Sequence, residues 1–139
     1  MDLTTALGWA SSRKSGVLIT IRADGRPQSS DITFVPEGDT FVISVTADRA
    51  KTLNMRRDPR VVLHISEPHA WSYIAFDGTA ELSAVTVEPG DETSDRLVAL
   101  YEAARGEPHP DWAEYRQAMV DQQRLVCTVR PTSAVGLIN

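Results

Sequence analysis

Between residues 46 and 60, five of fifteen side chains are basic: Arg49, Lys51, Arg56, Arg57 and Arg60. The chain as a whole carries a formal net charge of -5, so the cluster is local. It lies between two strand-like runs, residues 41–45 and 61–65, and reads as a short helix. Thr46 or Asp48 can cap its start, and Pro59 stops it. Arg49 and Lys51 then fall in the first turn, where the exposed N–H groups already carry partial positive charge. A bound anion resolves that conflict and uses the same N–H groups. Arg56, Arg57 and Arg60 sit near the C-terminal end, where cations are favoured, and a solvated basic face accounts for them as well.

Other residues could line a binding site. Gln28 and Ser30 project from one face of a strand, with Arg26 just before them at a turn. Such a face can hydrogen-bond a ligand's heteroatoms, though polar alternation is also what a half-exposed strand shows. Trp71 and Tyr73 open another strand and could wall a flat ring, or belong to a core. Trp112, Tyr115 and Met119 at helical spacing read as packing. His64, His69 and His109 do not form a metal motif, and with Cys127 the only cysteine no zinc site is indicated. There is no nucleophile elbow, Walker loop or dinucleotide fingerprint, and no spacing of Ser, His and Asp nominates a triad. No residue announces itself as nucleophile or general base, which fits a protein whose reactive atoms belong to a cofactor.

The elements that position these residues follow from the pattern. Residues 2–13 read as an amphipathic helix. Strands are expected at 16–21, 28–35, 40–46, 60–66, 72–82 and 124–130, with a short last one at 134–138. Asp24-Gly25 is a hairpin signal, and Gly78 marks a bulge or bend. Helices are expected at 94–105 and 111–123. A chain of 139 residues with 42% hydrophobic and 24% charged residues suits one soluble domain, residues 1–139. Closely spaced strands with few, peripheral helices suggest an antiparallel barrel-like sheet. The acidic balance argues against nucleic-acid binding, no apolar run reaches the length of a membrane span, and no signal-peptide pattern is present, so a cytoplasmic protein is expected.

Taken together, residues 16–21, Asp24-Gly25-Arg26-Pro27-Gln28-Ser29-Ser30, Arg49-Ala50-Lys51 through Asn54-Met55-Arg56-Arg57-Asp58-Pro59-Arg60, Trp71-Ser72-Tyr73 and residues 111–119 resemble the split β-barrel flavin/deazaflavin oxidoreductase superfamily. Within it, the chain is similar to the pyridoxamine 5′-phosphate oxidase-like, F-420-dependent oxidoreductases of actinobacteria. The resemblance spans nearly the whole chain. It implies a six-stranded antiparallel split β-barrel with peripheral helices, forming a homodimer with the cofactor in a groove between subunits. Arg49 and Lys51 would hold the cofactor phosphate, Gln28 and Ser30 would contact the ring system, and Ser44 to Thr46 would line the groove. Trp71 and Tyr73, from the other subunit, would close the pocket, and Arg56, Arg57 and Arg60 are candidates for the acidic tail of F-420. The implied activity is hydride transfer from reduced F-420 to an electron-poor small molecule such as an enone or nitroaromatic. The alternatives are an FMN-dependent oxidoreductase on the same fold and a non-catalytic F-420-binding protein.

Overall fold

The computed structural model describes residues 1–139. The elements in order are α1 (Leu3–Ala10), β1 (Ser15–Ile21), β2 (Pro27–Thr33), β3 (Val35–Glu37), β4 (Thr40–Thr46), α2 (Ala50–Arg57), β5 (Arg60–Glu67), β6 (Ser72–Leu82), α3 (Glu92–Arg105), α4 (Trp112–Asp121) and β7 (Arg124–Leu137). A short 3₁₀ turn, Pro68–Ala70, joins β5 to β6. All seven strands form one antiparallel sheet, ordered β2-β1-β5-β6-β7-β4-β3.

That order forces the sheet to curl. β2 and β3 are its two outer edges, yet a single residue, Phe34, separates them in the chain. Two Cα–Cα steps of about 3.8 Å bring the edges together there. No ladder joins them, so the barrel is pinched at Phe34 and split elsewhere. Phe34 is 3% exposed, its N–H donates to the Lys14 carbonyl at 2.8 Å, and its ring meets Phe41 edge-on at 5.1 Å. Phe41 in turn packs on Phe76 at the same spacing. These rings, with Leu18, Ile43, Leu63, Ile65, Leu125 and Val129, fill the barrel interior.

The count of seven strands corrects the six implied by the resemblance. The expected strand at 28–35 breaks at Phe34, because Phe34 still bonds to Lys14 in the β1 register whereas Val35, the next residue, pairs with Val42 of β4. The two expected strands at 124–130 and 134–138 are one continuous β7. Across from its middle, the register shifts between Asp77 and Gly78. Gly78 is required there: a Cβ would stand 2.7 Å from the Arg130 carbonyl oxygen.

The helices fill places that the sheet leaves bare. α1 ends at Ala10 and buries Ala6 and Ala10 against the core. Asp2 caps it by accepting from the Thr5 N–H at 2.9 Å. α3 and α4 cover the outer face of β4 and β7, enclosing Val42, Leu97, Met119 and Val126. α3 begins at Glu92, one turn-half earlier than the pattern suggests, because Asp91 caps it and also binds the Thr86 hydroxyl and the Val87 N–H. α2 links β4 to β5, which lie three places apart in the sheet, so it crosses the barrel mouth. Met55 is its plug, 2% exposed, with the Cys127 Sγ 3.7 Å from its Sδ. No helix is long and apolar enough to cross a membrane.

Candidate functional site

The basic segment folds as read, with one correction at its start. Neither Thr46 nor Asp48 caps α2. Arg49 occupies the N-cap position with extended backbone and offers no side-chain hydrogen bond. A guanidinium has only donors, so it cannot satisfy the helix's first N–H groups. Thr46 fails as a cap because it is the last residue of β4, and its carbonyl is used instead: it accepts from the Thr52 hydroxyl at 2.7 Å and from the Arg49 N–H at 3.3 Å. The Thr46 Oγ1 is buried and has no partner.

Two groups of polar side chains meet around α2. The first lies at its start. β4 and β7 pair so that Thr46 stands opposite Arg124, and Ser44, two residues back, shares that face. The Arg124 Nη1 donates to the Ser44 Oγ at 3.4 Å and its Nε to the Gln122 Oε1 at 3.0 Å. Gln123, with φ 54, turns the chain so that its carbonyl accepts from the Ala47 N–H at 2.9 Å. This ties the start of β7 to the loop before α2. Arg49, Lys51 and Arg124 all lack a carboxylate within ion-pair reach. Burial, then Arg49 and Arg124, hold the Lys51 pKa below its ordinary value. Burial likewise lowers that of Arg124, against Tyr115, with Arg49 adding to the lowering. Three like charges held together without a counterion, beside an orphaned hydroxyl and an uncapped helix start, form a site complementary to an anion.

The second group lies across the mouth. Asn54, 5% exposed, donates from Nδ2 to the Thr20 Oγ1 at 3.1 Å and to the Gln28 Oε1 at 3.3 Å. Gln28 pairs with Thr20 and Ser30 with Leu18, so both expected ring contacts face the barrel side, Gln28 beneath α2. Lys51, in the first group, and Asn54, in the second, are three apart on the helix. Asn54 and Arg124 did not stand out in the sequence. The position of Asn54 inside a basic helix was a usable signal; Arg124 had none, because only strand pairing brings it beside Thr46.

The remaining expected residues fall elsewhere. Arg26 is at the exposed β1–β2 turn, 3.8 Å from Asp24. Arg56 is on the exposed side of α2. Arg57 donates to the Ile21 carbonyl at 3.4 Å. Arg60 pairs with Asp58 at 2.7 Å, and the hydrogen bonds from Arg60 hold the Asp58 carboxyl down at about 2. Trp71, 81% exposed with φ 52, and Tyr73, stacked on His64 at 5.4 Å, lie at the opposite end of the sheet along β7. Tyr73 pairs with Leu137 at one end of β7, while Thr46 pairs with Arg124 at the other. Thirteen strand steps separate them, on the order of 40 Å along the strand. Within one chain Trp71 and Tyr73 are therefore remote from the cation cluster. Around them the outer sheet face is apolar and uncovered, with Val135 and Leu137 more than half exposed. A cavity of about 330 Å³ opens on that face, lined by the apolar Ile19, Ile21 and Val62 and also by the charged Arg60 and Asp77.

The curled antiparallel sheet pinched at Phe34, with a helix across its mouth, defines a split-barrel protein. The model of the pyridoxamine 5′-phosphate oxidase family matches residues 6–135, and the chain belongs to that family. Solved structures agree. A conserved hypothetical protein of Mycobacterium tuberculosis superposes with a TM-score of 0.76 at 20% identity, over 99% of this chain and 85% of the other. An F420 reductase matches with a TM-score of 0.66 at 25% identity, over 92% and 94%. The heme storage protein HutZ of Vibrio cholerae shares the fold, with a TM-score of 0.66 at 18% identity over 99% and 95%.

Proposed function

We propose that the chain is an F-420-dependent oxidoreductase that reduces an electron-poor small molecule. The observation that carries this reading is the anion site at the start of α2. Arg49 and Lys51 without counterions and the orphaned Thr46 hydroxyl fit the donor set that a ribityl phosphate requires. They would hold that phosphate, and Gln28 and Ser30 would face the ring. When bound, reduced F-420 supplies the hydride. The chain's own residues bind, orient and shield, since no side chain in the site has the arrangement of a nucleophile with its base. The family membership and the likeness to an F420 reductase support the same reading.

The active unit proposed is a homodimer. Trp71 and Tyr73 can reach a cation cluster only from a second copy, and the apolar face of Tyr73, Val135 and Leu137 supplies a surface to bury. Sedimentation of Val135→Glu against the parent chain tests it: a dimer that becomes a monomer supports the proposal, and a parent chain that is monomeric at micromolar concentration overturns it.

One observation favours FMN as the second reading. Asp58 already neutralises Arg60, which removes one of the three cations available for the longer acidic tail. Parallel titration of both cofactors by tryptophan fluorescence, at low and moderate salt, decides between them. Tighter binding of F-420, with the steeper salt dependence, followed by turnover of an enone or nitroaromatic panel with reduced F-420, is the expected result. Tighter FMN binding at both salts replaces the cofactor. F-420 binding without turnover of any acceptor points to a carrier.

A further inference from the structure

We propose that Arg124 is a third cationic ligand of the anion bound at the start of α2, supplied by β7 and recognising the cofactor's phosphate rather than its ring. The inference rests on the reading of that site as a phosphate subsite. Four features carry it. Arg124 stands directly opposite Thr46, the residue whose buried hydroxyl has no partner. Its guanidinium is half-buried and faces no carboxylate. It is held in place by two neutral acceptors, Ser44 and Gln122, which fix its direction without cancelling its charge. Those bonds use two of its five N–H groups, so three remain for oxygen atoms of a ligand. The Gln123–Ala47 bond sets the distance between β7 and the α2 loop, so the guanidinium and the helix start are presented as one unit.

A structural role would look different. A guanidinium kept for stability should meet a carboxylate or cover apolar surface, and removing it should weaken the fold. A guanidinium kept for an anion sits in the field of other cations, and removing it relieves repulsion in the free protein. Phosphate esters are the ligand class that matches a planar donor fork beside a lysine and a hydroxyl.

The test compares FMN with riboflavin, which differ only in the phosphate, and F-420 with its ribityl deazaflavin, which lacks both the phosphate and the acidic tail, so the FMN pair isolates the phosphate. Binding is measured for the full chain and for Arg124→Gln, Arg124→Lys, Arg49→Ala and Lys51→Ala. Arg124→Gln should weaken binding of the phosphate-bearing cofactor by about tenfold to a hundredfold, the equivalent of one charged hydrogen-bond set. The phosphate-free counterpart should change by less than about twofold, and Arg124→Lys should recover part of the loss. The melting temperature of ligand-free Arg124→Gln should hold or rise. An unchanged preference for the phosphate-bearing cofactor in Arg124→Gln, while Arg49→Ala and Lys51→Ala lose it, overturns the role of Arg124 alone. Unchanged preference in all four variants, or no binding of either cofactor by the parent chain, overturns the phosphate subsite itself. Equal loss for both members of a pair with a lowered melting temperature assigns Arg124 to structure. If Arg124→Gln does not fold, Arg124→Lys decides by the same ratio, because it keeps the charge and loses the fork.

Discussion

Asn54→Ala tests whether α2 is held across the barrel mouth by hydrogen bonds or by its apolar plug alone. Asn54 is 5% exposed and Thr20 is fully buried. The substitution deletes the 3.1 Å bond to Thr20 and the 3.3 Å bond to Gln28. Gln28, at the edge, can turn to water. The Thr20 hydroxyl cannot, and is left buried without a partner, a loss of about 1–3 kcal/mol. Adding the longer bond to Gln28, a total of about 2–3 kcal/mol is expected, against a whole stability of about 5–15 kcal/mol for a domain of this kind. Unfolding entropy for a chain of this length is about 0.3 kcal/mol/K, so the melting temperature should fall by about 7–10 °C. Urea unfolding should show a lower midpoint with an unchanged slope. The double variant Asn54→Ala with Thr20→Val removes the stranded hydroxyl and should recover about 1 kcal/mol. A loss below about 0.5 kcal/mol, or a double variant no better than the single one, would refute the reasoning. In that case Met55 and Thr52 hold the helix without help.

Three further outcomes are expected. Thr46→Val removes an unpartnered buried hydroxyl, so the ligand-free protein should melt at the same or a higher temperature while affinity for a phosphate-bearing cofactor drops; calorimetry reads both. Burial pushes the Cys127 thiol up to about 12, so iodoacetamide at mildly alkaline pH should leave the folded protein unlabelled and label it once unfolded in urea. Burial and the neighbouring Arg49 and Arg124 lower the Lys51 pKa. An anion binds the protonated form and raises that pKa again, so affinity is full below the free-protein value and lost as pH rises through the interval up to the bound value. That decline should begin below the ordinary lysine value of 10.5 and move to higher pH in Lys51→Arg.

Much of this protein is set locally. The hairpin turn at Asp24-Gly25, the stop before Pro59 and the cation-rich start of α2 depend on residues adjacent in the chain. Backbone preferences and the helix dipole act over that range. The buried state of Cys127 follows from the apolar run around it. Other features belong to the closed sheet. Phe34 reads as a strand residue, and only the meeting of the two sheet edges makes it the break between β2 and β3. Thr46 reads as a helix cap, yet its position at the end of β4 commits its carbonyl to Thr52 and leaves its hydroxyl orphaned. The remoteness of Trp71 and Tyr73 from Arg49 and Lys51 is invisible until β7 is seen to run unbroken between them. Arg124 is the sharpest case. Its neighbours in sequence are Gln123 and Leu125, but the residues that give its charge a meaning, Thr46, Arg49 and Lys51, lie more than seventy positions away. Strand pairing alone brings them together, because a hydrogen-bonded register is decided by which edges the whole chain leaves available and not by any one segment.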